Sequence, residues 1–242
     1  MSKNSCWKNI KAGIIHLFFP NRCPFCGGTI PFRSHCCEDC QKKSELWEPV
    51  VWKECADWHF DAFAAPFLYG MGAEQGVYEL KFHGNITPAE HFGYFQYQCL
   101  VQAELTGFDV ITAVPMAKRQ KRRRGYNQAA ELGKAVSRYS GKPYLELLKK
   151  PKQLLVQHTL SLEERKRNVI GAFCVREPFL AAGKTVLLVD DILTTGSTMD
   201  ECARVLKQAG AKRVITAAVC RVSKEKWDLE KQNLEKYRDN MV

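Results

Sequence analysis

The stretch VLLVDDILTTGSTMDECARVL, residues 186–206, limits what this chain can fold into more than any other. It opens on the unbroken apolar run VLLV, sets two aspartates side by side, then gathers threonines, serine and glycine before returning to helical spacing. An apolar run without alternation fits a strand covered on both faces, as parallel sheets require. After it, Met199, Cys202, Ala203, Leu206 and Ala209 line one side of a helix that Gly210 ends. A strand that feeds a helix at once is half of a βαβ unit.

The same reading extends along the chain. It predicts strands over 60–70, 108–116, 183–192 and 213–220, with helices over 74–84, 128–139 and 197–210. The expected fold class is α/β with a parallel sheet. Three parts are expected. Residues 1–56 hold a short amphipathic helix, with Trp7, Ile10, Ile14 and Leu17 on one face, followed by a cysteine module. Residues 60–222 form the α/β domain. Residues 223–242 form an amphipathic helix carrying Trp227, Leu234, Tyr237 and Met241.

With 242 residues, 45% hydrophobic and 26% charged, the composition is that of a globular protein and excludes a disordered one. No apolar run approaches the roughly 20 residues of a membrane helix. GIIHLFFP, residues 13–20, is too short, and no small-residue cleavage site follows it. The expected location is therefore the cytoplasm, or the inner face of the membrane as a peripheral protein. A net charge of +10 favours polyanionic partners, with a merely soluble basic surface as the plain alternative.

Among 11 cysteines, Cys23, Cys26, Cys37 and Cys40 form two CxxC pairs. Each pair makes a turn whose thiolates converge, and two such pairs read as a tetrahedral zinc site. A redox CxxC is the rival reading, and Cys36 is an alternative ligand to Cys37. The scattered Cys6, Cys55, Cys99, Cys174, Cys202 and Cys220 read as buried free thiols in a reducing compartment.

Ligands of open α/β sheets bind beyond the carboxyl ends of the strands, where Asp190 and Asp191 fall. The following loop enters a helix N-terminus, whose free N–H groups attract an anion. Thr194, Thr195, Ser197 and Thr198 add hydroxyls, and Gly196 lets the backbone close on the anion. Carboxylates beside a phosphate need something neutral between them, and ribose hydroxyls qualify. The site reads as one for a ribose 5-phosphate unit.

VLLVDDILTTGST resembles the phosphoribosyl-pyrophosphate motif of type I phosphoribosyltransferases. FPNRCPFCGG…CEDC, YELKFHGN, VPMAKRQKRRRGYNQA, QHTLSLEERKRNVIGAF and AGAKRV further resemble the ComF family of competence-associated proteins, in collinear order over about residues 15 to 222. The family often has threonine where Leu154 stands, three residues before Gln157, and the tail after Ser223 runs past the usual end.

The resemblance implies a phosphoribosyltransferase-like domain over 60–222 and a zinc-ribbon-like module before it. It implies that Asp190 and Asp191, the candidate catalytic pair, bind the ribose 2- and 3-hydroxyls. Thr194, Thr195, Gly196, Ser197 and Thr198 would hold the 5-phosphate, and Arg119 and Arg124 would meet the pyrophosphate of phosphoribosyl pyrophosphate. Magnesium would be bound mostly by ligand oxygens. Partners implied are single-stranded DNA and competence-machinery proteins such as a helicase, in natural transformation. An active phosphoribosyltransferase with an unidentified nitrogen acceptor is the alternative. The basic run over 118–128 and the cluster Arg165, Lys166 and Arg167 carry more charge than one pyrophosphate needs. Tyr126, Phe82 and Tyr69 are candidates to stack on unpaired bases, or else core residues. Ser161 and Glu164 make a capping box.

Overall fold

The computed structural model describes residues 21–43, 47, 49–70, 72–151 and 171–223. The expected helix over 1–18, Cys6, the expected helix over 223–242 apart from Ser223, the 161–164 capping box, Leu154, Gln157 and the 165–167 cluster lie outside them.

In chain order the elements are α1 (Glu38–Lys42), β1 (Val50–Trp52), β2 (Ala62–Ala65), β3 (Phe67–Leu68), α2 (Glu74–Phe82), α3 (Thr87–Gln102), β4 (Val110–Ala113), α4 (Lys118–Arg124), α5 (Gln128–Ser140), β5 (Leu148–Lys149), β6 (Cys174–Val175), β7 (Thr185–Val189), β8 (Ile192–Leu193), α6 (Ser197–Gln208), β9 (Arg213–Ala217) and β10 (Cys220–Arg221). The main sheet runs β1-β2-β9-β7-β4. All its pairs are parallel except β1 with β2. The stretches predicted as strands do form it, and β4 and β2 are buried along their whole length.

Successive side chains of β7 point to opposite faces. Leu187 and Val189 join the core under α3 and the cysteine module, while Val186 and Leu188 join the core under α6. Both faces are covered, which is why the strands read as continuous apolar runs. β8 continues beyond the acidic pair and pairs in parallel with β10, as β3 does, in a second small sheet.

Several elements differ from expectation, among them β1, the antiparallel edge strand of the main sheet, which falls in the 1–56 stretch expected to hold only a helix and the cysteine module. Helix α3 was not expected, yet it starts on a recognisable signal: Pro88 stands in its first turn, and the Asn85 side chain accepts from Thr87 N–H at 3.0 Å. The basic run, expected as a loop, is helix α4, ended by Gly125 at φ +90°. Lys121, Arg122, Arg123 and Arg124 all fall in its last turn, where the carbonyl ends favour cations.

The cysteine module shares its core with the α/β domain. The Phe25 ring lies 5.2 Å from Phe67, 5.9 Å from Phe92 and 5.7 Å from Phe95, centroid to centroid. Gly76 of α2 lets the module approach, since a Cβ there would stand 2.3 Å from the Pro24 carbonyl oxygen. Among the described residues no helix is long and apolar enough to cross a membrane.

Candidate phosphoribosyl and metal sites

Asp190 and Asp191 follow β7 directly, at its carboxyl end. Asp191 is only 5% exposed. Its Oδ1 pairs with Lys81 Nζ at 3.2 Å, and its Oδ2 accepts from Gln128 Nε2 at 2.8 Å. Asp190 Oδ1 accepts from the Asp191 N–H at 2.8 Å, and the Asp190 carbonyl accepts from Gln96 Nε2 at 3.3 Å. Burial, and then the Asp191 carboxylate beside it, push the Asp190 carboxyl up to about 8, against the opposing pull of the Asp191 N–H and Lys81. Both effects work against the charged form of Asp190, as expected for one of two crowded carboxyls. Carboxyl groups placed side by side can pair with vicinal hydroxyls, accepting when ionised and donating when protonated.

The next loop turns sharply into α6. Gly196, its N-cap, has φ +76°, and a Cβ there would stand 2.6 Å from ring carbons of Trp58. Thr195 Oγ1 lies 3.1 Å from Ser197 Oγ and accepts from Ser197 N–H at 3.4 Å. Thr194 is exposed, while Thr195, Ser197 and Thr198 are half-buried. The first turn of α6 is pinned from outside: Asp200 accepts from His59 N–H at 2.6 Å and lies 3.0 Å from its Nδ1. The result is a turn with hydroxyls and helix-end N–H groups beside two carboxyls, the donor set a sugar phosphate requires.

Arg119 and Arg124 both lie on α4, with different neighbours. Arg124 Nη1 donates to Gln128 Oε1, so it reaches the acidic pair through Gln128, and its guanidinium sits 5.9 Å from the Phe82 ring centroid. Arg119 lines a separate cleft of about 240 Å³ with Arg122, Lys118 and Lys150. A neighbouring cleft of about 210 Å³ is lined by Lys118, Lys121, Tyr144, Lys149 and Arg176 among others. Of the aromatics expected near this charge, Phe82 is exposed. Tyr126 instead donates to the Leu80 carbonyl at 2.7 Å, and Tyr69 packs half-buried on the core.

Sequence reasoning did not assign a role to Gln96, Gln128, Trp58, His59 or Lys81. These come from elements far apart in the chain, and only Lys81 and Gln128 lie inside the family-like segments YELKFHGN and VPMAKRQKRRRGYNQA. Gln128 also follows Asn127, whose side chain caps α5 by accepting from Ala129 N–H at 3.2 Å.

At the other end of the chain, the sulfurs of Cys23, Cys26, Cys37 and Cys40 all lie within 4.8 Å of one another, and Cys26 Sγ is 3.6 Å from Cys37 Sγ. Four thiolates at about 2.3 Å from one tetrahedral ion stand about 3.8 Å apart, so the donor set and its spacing fit zinc. The first pair is shaped by Cys23 N–H donating to the Gly28 carbonyl at 2.7 Å and Gly27 N–H to the Cys23 carbonyl at 2.9 Å. The second is shaped by α1, where Cys37 Sγ accepts from Cys40 N–H at 3.4 Å, which holds the Cys37 thiol below its usual range. Cys36 is buried outside the cluster, and burial pushes its thiol up to about 11. Of the remaining cysteines, Cys99, Cys202 and Cys220 are buried free thiols, and Cys55 and Cys174 are half-buried.

Residues 147–237 match the model of the phosphoribosyl transferase domain family. The DNA utilization protein YhgH of Escherichia coli is 31% identical over 204 residues, covering 82% of this chain and 83% of that protein. Competence protein F of Haemophilus influenzae is 27% identical over 222 residues, covering 87% and 86%. Among solved structures, the glutamine phosphoribosylpyrophosphate amidotransferase of B. subtilis aligns at a TM-score of 0.39 and 19% identity. That alignment spans 58% of this chain and 30% of the amidotransferase.

Proposed function

The chain belongs to the ComF family, and from that premise we propose that it binds phosphoribosyl pyrophosphate with magnesium and handles single-stranded DNA during natural transformation. The observation that carries the first half is the placement of Asp190 and Asp191 at the end of β7, against the turn that Gly196 makes into α6. The carboxyls take the ribose hydroxyls, and the turn takes the 5-phosphate. Arg124, already at the acidic pair through Gln128, faces the pyrophosphate end. Magnesium is carried by ligand oxygens. The Cys23, Cys26, Cys37 and Cys40 cluster holds a structural zinc.

The DNA half is supported by helix α4, whose Lys118, Arg119, Lys121, Arg122 and Arg123 are exposed. It is supported too by relatives named for DNA utilization and competence. Backbone phosphates pair with such a cationic surface without regard to base sequence.

The test is a thermal shift. Phosphoribosyl pyrophosphate with magnesium raises the Tm by preferential binding to the native state. Asp190→Asn with Asp191→Asn abolishes that rise and leaves a cooperative transition. A double variant that responds as fully as the wild type shows that the carboxyls do not hold the ribose.

A further inference from the structure

We propose that Tyr78 and Phe82 form a stacking platform for the bases of single-stranded DNA, an inference that rests on the DNA reading above and places the bases. Helix α2 has an inward side, where Gly76, Val77 and Leu80 are buried, and Lys81 turns toward Asp191. Tyr78 and Phe82, one turn apart, leave 53% and 59% of their surface to solvent. Two large neighbouring aromatics left so exposed are costly unless something covers them. Their rings lie 4.7 Å apart at 41°, and His83, paired to Glu79 at 2.8 Å, meets Tyr78 edge-on at 5.1 Å. The rings are thus held in position before any partner arrives.

Charge identifies the partner. The Arg124 guanidinium stands over Phe82, and the Tyr126 hydroxyl bonded to the Leu80 carbonyl ties the end of the basic helix to α2. The aromatic pair therefore lies against Arg124, at the end of a helix whose other cations are exposed. An apolar protein surface would not be matched to that border. A strand with phosphates on one edge and unpaired bases on the other is matched to it, because every base has a face that stacks and every link a charge. Stacking on this platform leaves the acidic pair open, since Lys81 rather than either ring faces it.

The test uses the full chain and two labelled oligonucleotides of equal length, one of thymidines and one of abasic sugar phosphates, followed by anisotropy at several salt concentrations. Wild-type protein binds the thymidine strand at least roughly 5- to 150-fold more tightly, the range for one stacked base. Tyr78→Ala with Phe82→Ala binds both strands alike, at the abasic strand's affinity. Its salt slope is unchanged, because no phosphate pairing is lost. Phe82→Trp keeps the preference. Both residues are exposed, so an unaltered Tm verifies folding. A wild type that does not distinguish the strands, or a double alanine variant that still does, overturns the platform while leaving DNA binding in place. A wild type that binds neither strand removes the DNA reading and the platform with it. A double variant that keeps its strand preference but loses free adenine in the presence of phosphoribosyl pyrophosphate makes this face an acceptor pocket, and overturns the proposal too.

Discussion

Lys81 Nζ stands 3.2 Å from Asp191 Oδ1, so the last turn of α2 supplies a counter-ion to a carboxylate at the end of β7. The carboxylate is buried and its other oxygen is held by Gln128, so removing the lysine leaves a charge only partly compensated. Lys81→Met should cost about 1–3 kcal/mol, the range for leaving a buried polar partner unsatisfied. Adding Asp191→Asn should recover much of that loss, because the two residues are directly coupled. Strictly additive losses in urea unfolding of the single and double variants would show that the pair does not interact.

The acidic pair also sets a pH dependence. The Asp190 carboxyl is raised from 3.8 to about 8. Between those values the folded protein keeps a proton that the unfolded chain has released. The stability from this group is present at low pH and is lost as pH climbs toward about 8. Asp190→Asn should remove that slope. Its Tm should match the wild type near pH 4 and exceed it near pH 8, by about 2–4 °C for each kcal/mol relieved. Parallel Tm profiles from pH 4 to 8 would show that burial does not raise this carboxyl.

Much of this arrangement could be read along the chain because its signals are local. The apolar runs of β4, β7 and β9 announce a sheet covered on both faces, and the DD pair with its glycine turn marks the carboxyl end of β7 and the turn into α6. The paired CxxC spacing points to the cysteine cluster that the structure assembles. What could not be read is lateral. Lys81 meets Asp191 across 110 residues, and Gln96 meets Asp190 across 94, so neither pairing leaves a periodicity. The aromatic cluster around Phe25 was equally hidden. The CPFC turn looks self-contained until α3 brings Phe92 and Phe95 against it. α4 was misjudged because like charges in sequence suggest an extended, repelling loop. In the structure the turn ends in left-handed glycine and the charges spread around an exposed helix.

The shared core makes zinc a matter for the whole domain. Structural zinc supplies folding energy. With Phe25 packed on Phe67, Phe92 and Phe95, loosening the cysteine module also loosens the sheet's upper face. Cys23→Ser should lose the metal and lower a single melting transition by about 10 °C, a few kcal/mol for a chain of this size. Elemental analysis of protein purified without chelator should find one zinc per chain. Its absence there, or an unaltered Tm in the variant, would remove the metal from the stability of this fold.

Gly196 should tolerate no side chain. At φ +76° an alanine bears the left-handed penalty of about 1–2 kcal/mol. Its Cβ would also lie 2.6 Å from the Trp58 ring. Gly196→Ala should lower the Tm and abolish the shift induced by phosphoribosyl pyrophosphate. Adding Trp58→Ala should relieve the crowding and leave the backbone penalty, so the pair should recover part of the Tm. Full recovery would mean that the left-handed turn contributes nothing.

The basic helix separates a DNA-handling protein from a phosphoribosyltransferase that never meets DNA. Arg122 and Arg123 are exposed, and neither has a hydrogen bond or ion pair to the acidic pair, whereas Arg124 reaches it through Gln128. On a single strand each phosphate pairing contributes a slope of about −0.7 in log affinity against log salt. Replacing Arg122 and Arg123 with alanine should therefore make the slope shallower by about 1.4, with affinity falling alike on every sequence. The shift in Tm caused by phosphoribosyl pyrophosphate should persist in the same variant, because Arg124 is untouched. If these arginines serve the small ligand instead, the variant loses the Tm shift and its salt slope does not move. Both measurements on one preparation decide between the two, and a wild-type slope near zero would take DNA away from α4 altogether.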